Sequence, residues 1–191
     1  MRINLVFAPY VSPSCIPVGL ASLKSYLEAS AQDLKVNTLD LSLDFINKVI
    51  DGDLKTICNV CTIEEGFEKN PFQDTLPQEF VSRFTAAREL VKDQRLFYDK
   101  QLFVHRVQPL YLFLWKYAFC FSLVLRHYLE GRITDTSSIL AFLKDEVEST
   151  LKGNPDLVGF SVLTNSQINF SLAIAKIVKD NFDIPVILGG P

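Results

Sequence analysis

The feature that most constrains this chain is a strand–helix–strand pattern that occurs once at each end of the sequence. Four short apolar runs are the expected strands: Ile3–Ala8, Leu34–Leu39, Asp156–Leu163 and Ile184–Leu188. Leucines at helical spacing predict a helix over about 17–30, between the first two runs, and a second helix is predicted over Ile168–Phe182. Short apolar runs alternating with helices are typical of parallel strands that are covered on both faces.

Because crossovers between parallel strands are right-handed, two such units fit into one sheet in the order 2-1-3-4. The expected fold is therefore an α/β, Rossmann-like or flavodoxin-like parallel sheet. We expect residues 1–41 and 153–191 to form one split domain, with 42–152 inserted as a helical stretch that contains no convincing strand.

Three helical patterns follow one another from Leu76 to the end of the insertion. Leu76–Val107 has apolar residues close to helical steps, and Pro109 is expected to end that helix. An apolar helix is predicted over Leu110–Leu129, and the last helix begins at Asp135, a favourable N-cap residue. Lys152-Gly153-Asn154-Pro155 is a strong signal for the end of that helix.

In open parallel sheets, ligands bind at the carboxyl ends of the strands, where the strand order reverses. The loops at that edge nominate seven candidate ligand-binding residues: Pro9, Ser14, Ser161, Thr164, Asn165, Gly189 and Gly190. Glycine lets a flat ligand or a phosphate approach the backbone, although Gly189-Gly190 is equally consistent with a simple turn after a strand. Asp40 either contacts a ligand hydroxyl or caps the next turn.

The sequence lacks the motifs that are typical of several function classes. The net charge is −3 and no basic run is present, which argues against nucleic-acid binding. No GxGxxG or GxxxxGK[ST] motif occurs, which argues against dinucleotide and P-loop sites. Cys58 and Cys61 have CxxC spacing, which could hold half a zinc site or a redox pair, but a second pair is missing, so neither role is favoured. His105 and His127 accompany no nucleophile motif.

The apolar stretch Leu110–Leu125 is shorter than the ~20 residues that span a bilayer, and it contains Lys116. A buried or packed helix is therefore favoured over a membrane span. Since no signal-peptide pattern opens the chain, we expect a cytoplasmic protein with reduced thiols.

Four segments, in order, resemble the N-terminal cobalamin-binding domain of class B radical SAM proteins. They are PVGLASLKSYL at 17–27, VNTLD at 36–40, PDLVGFS at 155–161 and FDIPVILGGP at 182–191. The resemblance covers about 1–41 and 154–191. It implies that cobalamin lies across the carboxyl ends of the strands, held by the 9–17 loop, by Ser161 with Thr164, and by Gly189 with Gly190.

No DxHxxG motif is present, so the resemblance implies base-off cobalamin without a protein histidine ligand. Because CxxxCxxC is also missing, S-adenosylmethionine and an iron–sulfur cluster are expected only in a radical SAM domain downstream, with the chain ending before a fifth strand. The expected function is a cobalamin-binding module of a methyltransferase or ring-forming enzyme, not catalytic alone. The alternative is a degenerate Rossmann-like platform that binds a substrate or partner without cofactor.

Two surfaces are expected to favour self-association. The fourth strand would present unpaired backbone groups at the sheet edge. The apolar helix predicted over 110–129 also has side chains that need to be buried against another surface.

Overall fold

The computed structural model describes residues 1–10, 17–52, 78–93 and 100–190. The elements of the first half are β1 (Arg2–Phe7), α1 (Val18–Ser30), β2 (Lys35–Asp40), α2 (Leu41–Asp51) and α3 (Gln78–Lys92). The second half contains α4 (Lys100–Leu129), α5 (Ser137–Leu151), β3 (Leu157–Ser161), α6 (Asn165–Asn181) and β4 (Val186–Gly189). The described residues of the insertion contain no strand, as the sequence predicts.

The four strands form one parallel sheet in the order β2-β1-β3-β4, which confirms the predicted topology. Phe7 at the end of β1 pairs with Asp40 in β2 and with Ser161 in β3. Ser161 pairs in turn with Gly189 in β4. The carboxyl ends of all four strands therefore meet at one edge of the sheet.

Among the helices that the structure describes, only α1 covers one face of the sheet. Ile3, Leu5 and Phe7 alternate along β1 toward this face and form a cluster with Leu20 of α1 and Val36 of β2. The cluster fills the space over β1 and β2. No helix in the described part of the chain covers the same face over β3 and β4, where Ile187 is 56% exposed.

The opposite face is covered by α2, α5 and α6. Phe45 of α2 stands at the centre of an aromatic cluster. Its ring lies 5.3 Å from Phe170 of α6, 6.2 Å from Phe142 of α5 and 5.9 Å from Tyr10 after β1, always edge to face. Edge-to-face contacts add to the apolar burial, so this cluster ties three helices to the sheet.

A polar residue inside β1 fixes the position of α5. The side-chain amide of Asn4 donates to the carbonyl oxygens of Thr150 (2.7 Å) and Lys152 (3.0 Å) at the end of that helix. Its oxygen accepts from the amide of Asn37 at 2.9 Å. These bonds satisfy carbonyls that a helix end leaves without intrahelical donors, which explains a buried asparagine in a central strand.

The prediction that Pro109 ends a helix is wrong. The helix α4 continues from Lys100 to Leu129 through this residue, and the preceding helix, α3, ends at Lys92. A proline inside a helix costs about 3 kcal/mol. Burial of residues on both sides of it, including Val107, Leu110 and Phe113, outweighs that cost.

Both ends of α5 lie close to the positions that the sequence predicts. Thr136 is the N-cap of α5, and the carboxylate of Asp135 accepts from the backbone N–H of Ser137 at 3.0 Å. After α5, Gly153 and Asn154 have positive φ angles of 83° and 51°, so the expected stop is present.

The chain divides into two compact units. The sheet unit contains Met1–Lys48 and Ser122–Pro191, and the helical unit contains Val49–Phe121. In this division α5 belongs to the sheet unit. The domain boundaries expected at 41/42 and 152/153 stay a prediction from the sequence. Among the described residues, no helix has both the length and the apolar character that crossing a membrane requires.

Candidate functional site

A cleft of about 510 Å³ opens on the α1 face of the sheet, over β3 and β4. Its floor is formed by strand residues on this face, among them Leu157, Gly159 and Ile187, and one wall is formed by Leu23 and Leu27 of α1. The lining is predominantly apolar. Volumes of 300–1,000 Å³ are typical of small-molecule sites, so the cleft is large enough for a ligand group.

Three predicted site residues lie together at the carboxyl end of this cleft: Ser161, Gly189 and Gly190. Thr164 and Asn165 lie beyond β3 at the start of α6 and do not line the cleft. Pro9 is buried after β1, and Ser14 lies outside the described residues. The structure therefore brings part of the predicted set to one place.

The two adjacent glycines have different roles. A Cβ on Gly190 would lie far inside van der Waals contact of the Val162 carbonyl oxygen, so the backbone itself requires glycine there. A Cβ on Gly189 would meet no heavy atom within 4 Å. Gly190 thus has a structural explanation. Gly189 leaves open space beside the cleft, and a ligand is free to use that space.

The hydroxyl groups at this edge differ in their availability. Thr164 starts α6 in a capping box, and its Oγ1 lies 2.8 Å from Ser166 Oγ. Ser161 is half-buried and lines the cleft, and its hydroxyl has no hydrogen-bond partner in the described residues. Ser161 is therefore the hydroxyl that remains for a ligand.

Sequence reasoning missed Gln167, which joins the carboxyl ends of β1 and β3. Its Nε2 donates to the Ala8 carbonyl at 2.6 Å, and its Oε1 accepts from the backbone N–H groups of Leu163 (2.7 Å) and Thr164 (3.2 Å). The T-x-x-Q spacing of a capping box was the available signal. Since buried Gln167 occupies the α6 side of this edge, the open space is on the α1 side.

Two further hydrogen bonds define the structure at the carboxyl ends of β2 and β1. Asp40 Oδ1 accepts from the backbone N–H of Leu43 at 3.1 Å, so this carboxylate caps α2, the second of the two roles considered for it. Ser166 Oγ donates to the Tyr10 carbonyl at 2.9 Å and, together with Gln167, holds the chain after β1 against the start of α6.

A second, polar cleft of about 460 Å³ lies between α2 and α5. Lys48 donates there to both carboxylate oxygens of Glu146, at 3.1 and 3.2 Å, and to the Phe142 carbonyl, and it lies 3.1 Å from Asp145. Burial raises the pKa of Glu146, and the positive charge of Lys48 opposes that shift. Burial and then the nearby Asp40 raise the pKa of Asp44 in the same cleft.

Within the described ranges, no group of three His, Cys, Asp or Glu residues is arranged to hold a metal ion. Cys120 is buried and has no disulfide, and burial raises the pKa of its thiol. The CxxC pair at Cys58 and Cys61 lies outside the described residues.

Comparison with protein-family models, curated proteins and solved structures finds no match to this chain, so the fold and the cleft themselves carry the functional argument.

Proposed function

We propose that this chain is a cobalamin-binding module of a radical SAM enzyme, with the ligand over the carboxyl ends of β1, β3 and β4 and one of its groups in the α1-side cleft. The observation that carries the proposal is the cleft itself. It is apolar, it opens at the switch point of a parallel sheet, and it is flanked by Gly189, where no side chain is present to block a large ligand.

The residues present fit part of cobalamin. The cleft is smaller than the whole molecule, so it would take one group while the rest lies over the strand ends. Leu23 and Ile187 are exposed and offer apolar contact, and Ser161 offers a hydroxyl that can donate to a polar arm or accept from it. When bound, the cofactor supplies a cobalt centre able to carry a methyl group.

This chain binds and orients the cofactor and does not perform the radical chemistry. Its sequence has no CxxxCxxC motif, so S-adenosylmethionine and the iron–sulfur cluster are assigned to a different domain. His127 does not line the cleft, and the sequence has no DxHxxG motif, so the cofactor that we propose is base-off without a protein histidine ligand.

The test is a titration of hydroxocobalamin into the chain, followed by absorbance. We expect weak binding with a base-off spectrum. Gly189→Leu should weaken that binding by about tenfold or more, equivalent to about 1.4 kcal/mol, because the new side chain enters the cleft. Ala141→Leu, on the exposed side of α5, adds the same side chain elsewhere and should leave binding unchanged.

Two results would contradict the proposal. Equal binding by wild type and Gly189→Leu would place the ligand elsewhere. A complete lack of binding would favour the alternative, a platform that keeps the fold and uses its apolar cleft for a substrate or partner.

A further inference from the structure

A buried glutamine links the ends of the two central strands at the edge where the ligand is proposed to lie. Gln167 of α6 is 0% exposed. Its Nε2 donates at 2.6 Å to the carbonyl of Ala8, the residue after β1. Its Oε1 accepts from the backbone N–H groups of Leu163 at 2.7 Å and Thr164 at 3.2 Å, both beyond the end of β3. One side chain therefore fixes the backbone after both strands.

The turn after β3 connects Gln167 to the apolar cleft. Leu163 lines the cleft, and so does Ser161 two residues earlier. Between them, the N–H of Val162 donates to the Gly189 carbonyl in β4 at 2.8 Å. The turn is thus held by β4 on one side and by Gln167 on the other. A change at Gln167 reaches the lining of the cleft through the backbone of Leu163.

The capping box of α6 explains only part of this arrangement. In a capping box, the third helical residue accepts from the N–H of the N-cap residue, as Gln167 does for Thr164. A glutamate serves that purpose equally well. The bond to Ala8 is different, because it needs a donor, and an ionised carboxylate has none. An amide is therefore required at position 167 by the link to β1 and not by the cap.

We propose that Gln167 is a positioning residue of the ligand site, which holds the end of β1 and the turn after β3 in the arrangement that the ligand meets. This inference rests on the proposed function, which places the ligand over the ends of these strands. Gln167 does not line the cleft, so it acts through Leu163 and Ala8. A site that is ordered before the ligand arrives binds more tightly, because binding does not have to supply the cost of ordering it.

The experiment is a titration of hydroxocobalamin into Gln167→Glu, with each affinity divided by that of the wild-type chain at the same pH. At about pH 8 the introduced carboxylate keeps the bonds from Leu163 and Thr164 but has no proton for Ala8, so binding should weaken about tenfold. Toward about pH 5 the carboxyl takes up a proton, since burial raises its pKa, and it can donate to Ala8 again. The affinity should then return to within about twofold of wild type.

Two matched variants accompany this one. Gln167→Met keeps a similar shape but cannot donate, and its sulfur accepts only weakly, so binding should weaken about tenfold or more at every pH without recovery. Gln101→Glu introduces the same charge at an exposed position of α4, and it should bind like the wild-type chain throughout.

Two further measurements separate positioning from a general loss of fold. Urea denaturation at each pH gives the folded fraction, so that affinities are compared for folded molecules only. Amide hydrogen exchange at Leu163 and Thr164 reports on the turn itself. It should stay slow in Gln167→Glu, which keeps their acceptor, and become faster in Gln167→Met. If Gln167→Met does not fold, the pH profile of Gln167→Glu decides alone.

The outcomes distinguish this inference from the proposed function. Wild-type affinity of folded Gln167→Glu at about pH 8, with Gly189→Leu still weakened, would overturn the positioning role and leave the ligand site in place. A loss in Gln167→Glu that does not recover in acid would equally overturn it, because the missing bond to Ala8 would not be the cause. A wild-type chain that does not bind hydroxocobalamin would overturn both proposals.

Discussion

The two faces of the sheet are built from the same four strands but are covered very differently. Val158 and Phe160 of β3 point to the face that carries α2, α5 and α6, and they are 0% and 3% exposed. Leu157, Gly159 and Ser161 alternate with them and are only half-buried on the α1 face. In the part of the chain that the structure describes, the covered face holds fully buried side chains, while the other face keeps an open cleft over β3 and β4.

The largest expected loss of stability comes from a substitution on the covered face. Phe170→Ala removes a fully buried ring at the contact with Phe45, and we expect a loss of about 3–5 kcal/mol in the free energy of unfolding. Ile187→Ala on the open face should cost less than about 1 kcal/mol, because that side chain is already half in water. Urea denaturation measures both. Similar losses for the two variants would mean that the open face is covered in solution.

The next effect concerns the ion pair that joins α2 to α5. Lys48→Met leaves Glu146 buried without its cation, and we expect a loss of about 3 kcal/mol at neutral pH. Glu146→Gln is the matched variant, since it removes the buried charge while keeping the shape of the side chain.

This pair also makes stability depend on pH. Because the folded-state pKa of Glu146 is raised, mainly by burial, protonation stabilises the fold. That contribution is fully present below the ordinary value of 4.5 and is lost as the pH rises through the raised pKa. Relative to Glu146→Gln, the wild-type chain should therefore gain stability as the pH falls from neutral to 4.5, and Lys48→Met should gain more. Parallel pH profiles for wild type and Glu146→Gln would contradict this.

The smallest effect distinguishes the two glycines at the rim of the open face. Gly190→Ala forces a Cβ onto the Val162 carbonyl and should cost about 2 kcal/mol. Gly189→Ala meets open space and should change stability by less than about 0.5 kcal/mol. Thermal unfolding compares them. Equal losses would show that both glycines serve the turn alone, which would remove Gly189 from the ligand argument.

Most of the sheet could be predicted from local pattern. Short apolar runs, the Lys152-Gly153-Asn154-Pro155 stop and the right-handed crossover rule give the strands, the end of α5 and the order 2-1-3-4, because each depends on neighbouring residues or on chirality. The sequence predicts that α6 begins at Ile168, three residues after its observed start at Asn165, because Thr164-Asn165-Ser166 is interpreted as a turn and cap that precede the helix.

The candidate site is predictable only in part. Parallel topology brings Ser161 and Gly189 to the same edge from sequence alone, because their strands are neighbours. The different roles of Gly189 and Gly190 depend on where the Val162 carbonyl lies, which is a contact between two strands. The sequence likewise does not show that Gln167 fills one side of the edge, because this depends on the approach of α6 to β1.

Local periodicity and chain handedness can be read from the amino-acid sequence, so the strands, their order and the edge at which a ligand is expected follow from it. Three other features appear only in the folded chain. The helix α4 continues through Pro109, Asn4 bonds to the end of α5, and no helix of the described ranges covers the α1 face over β3 and β4. Each of these features depends on the total apolar burial and on hydrogen bonds between distant segments of the chain. A local sequence pattern specifies neither of them.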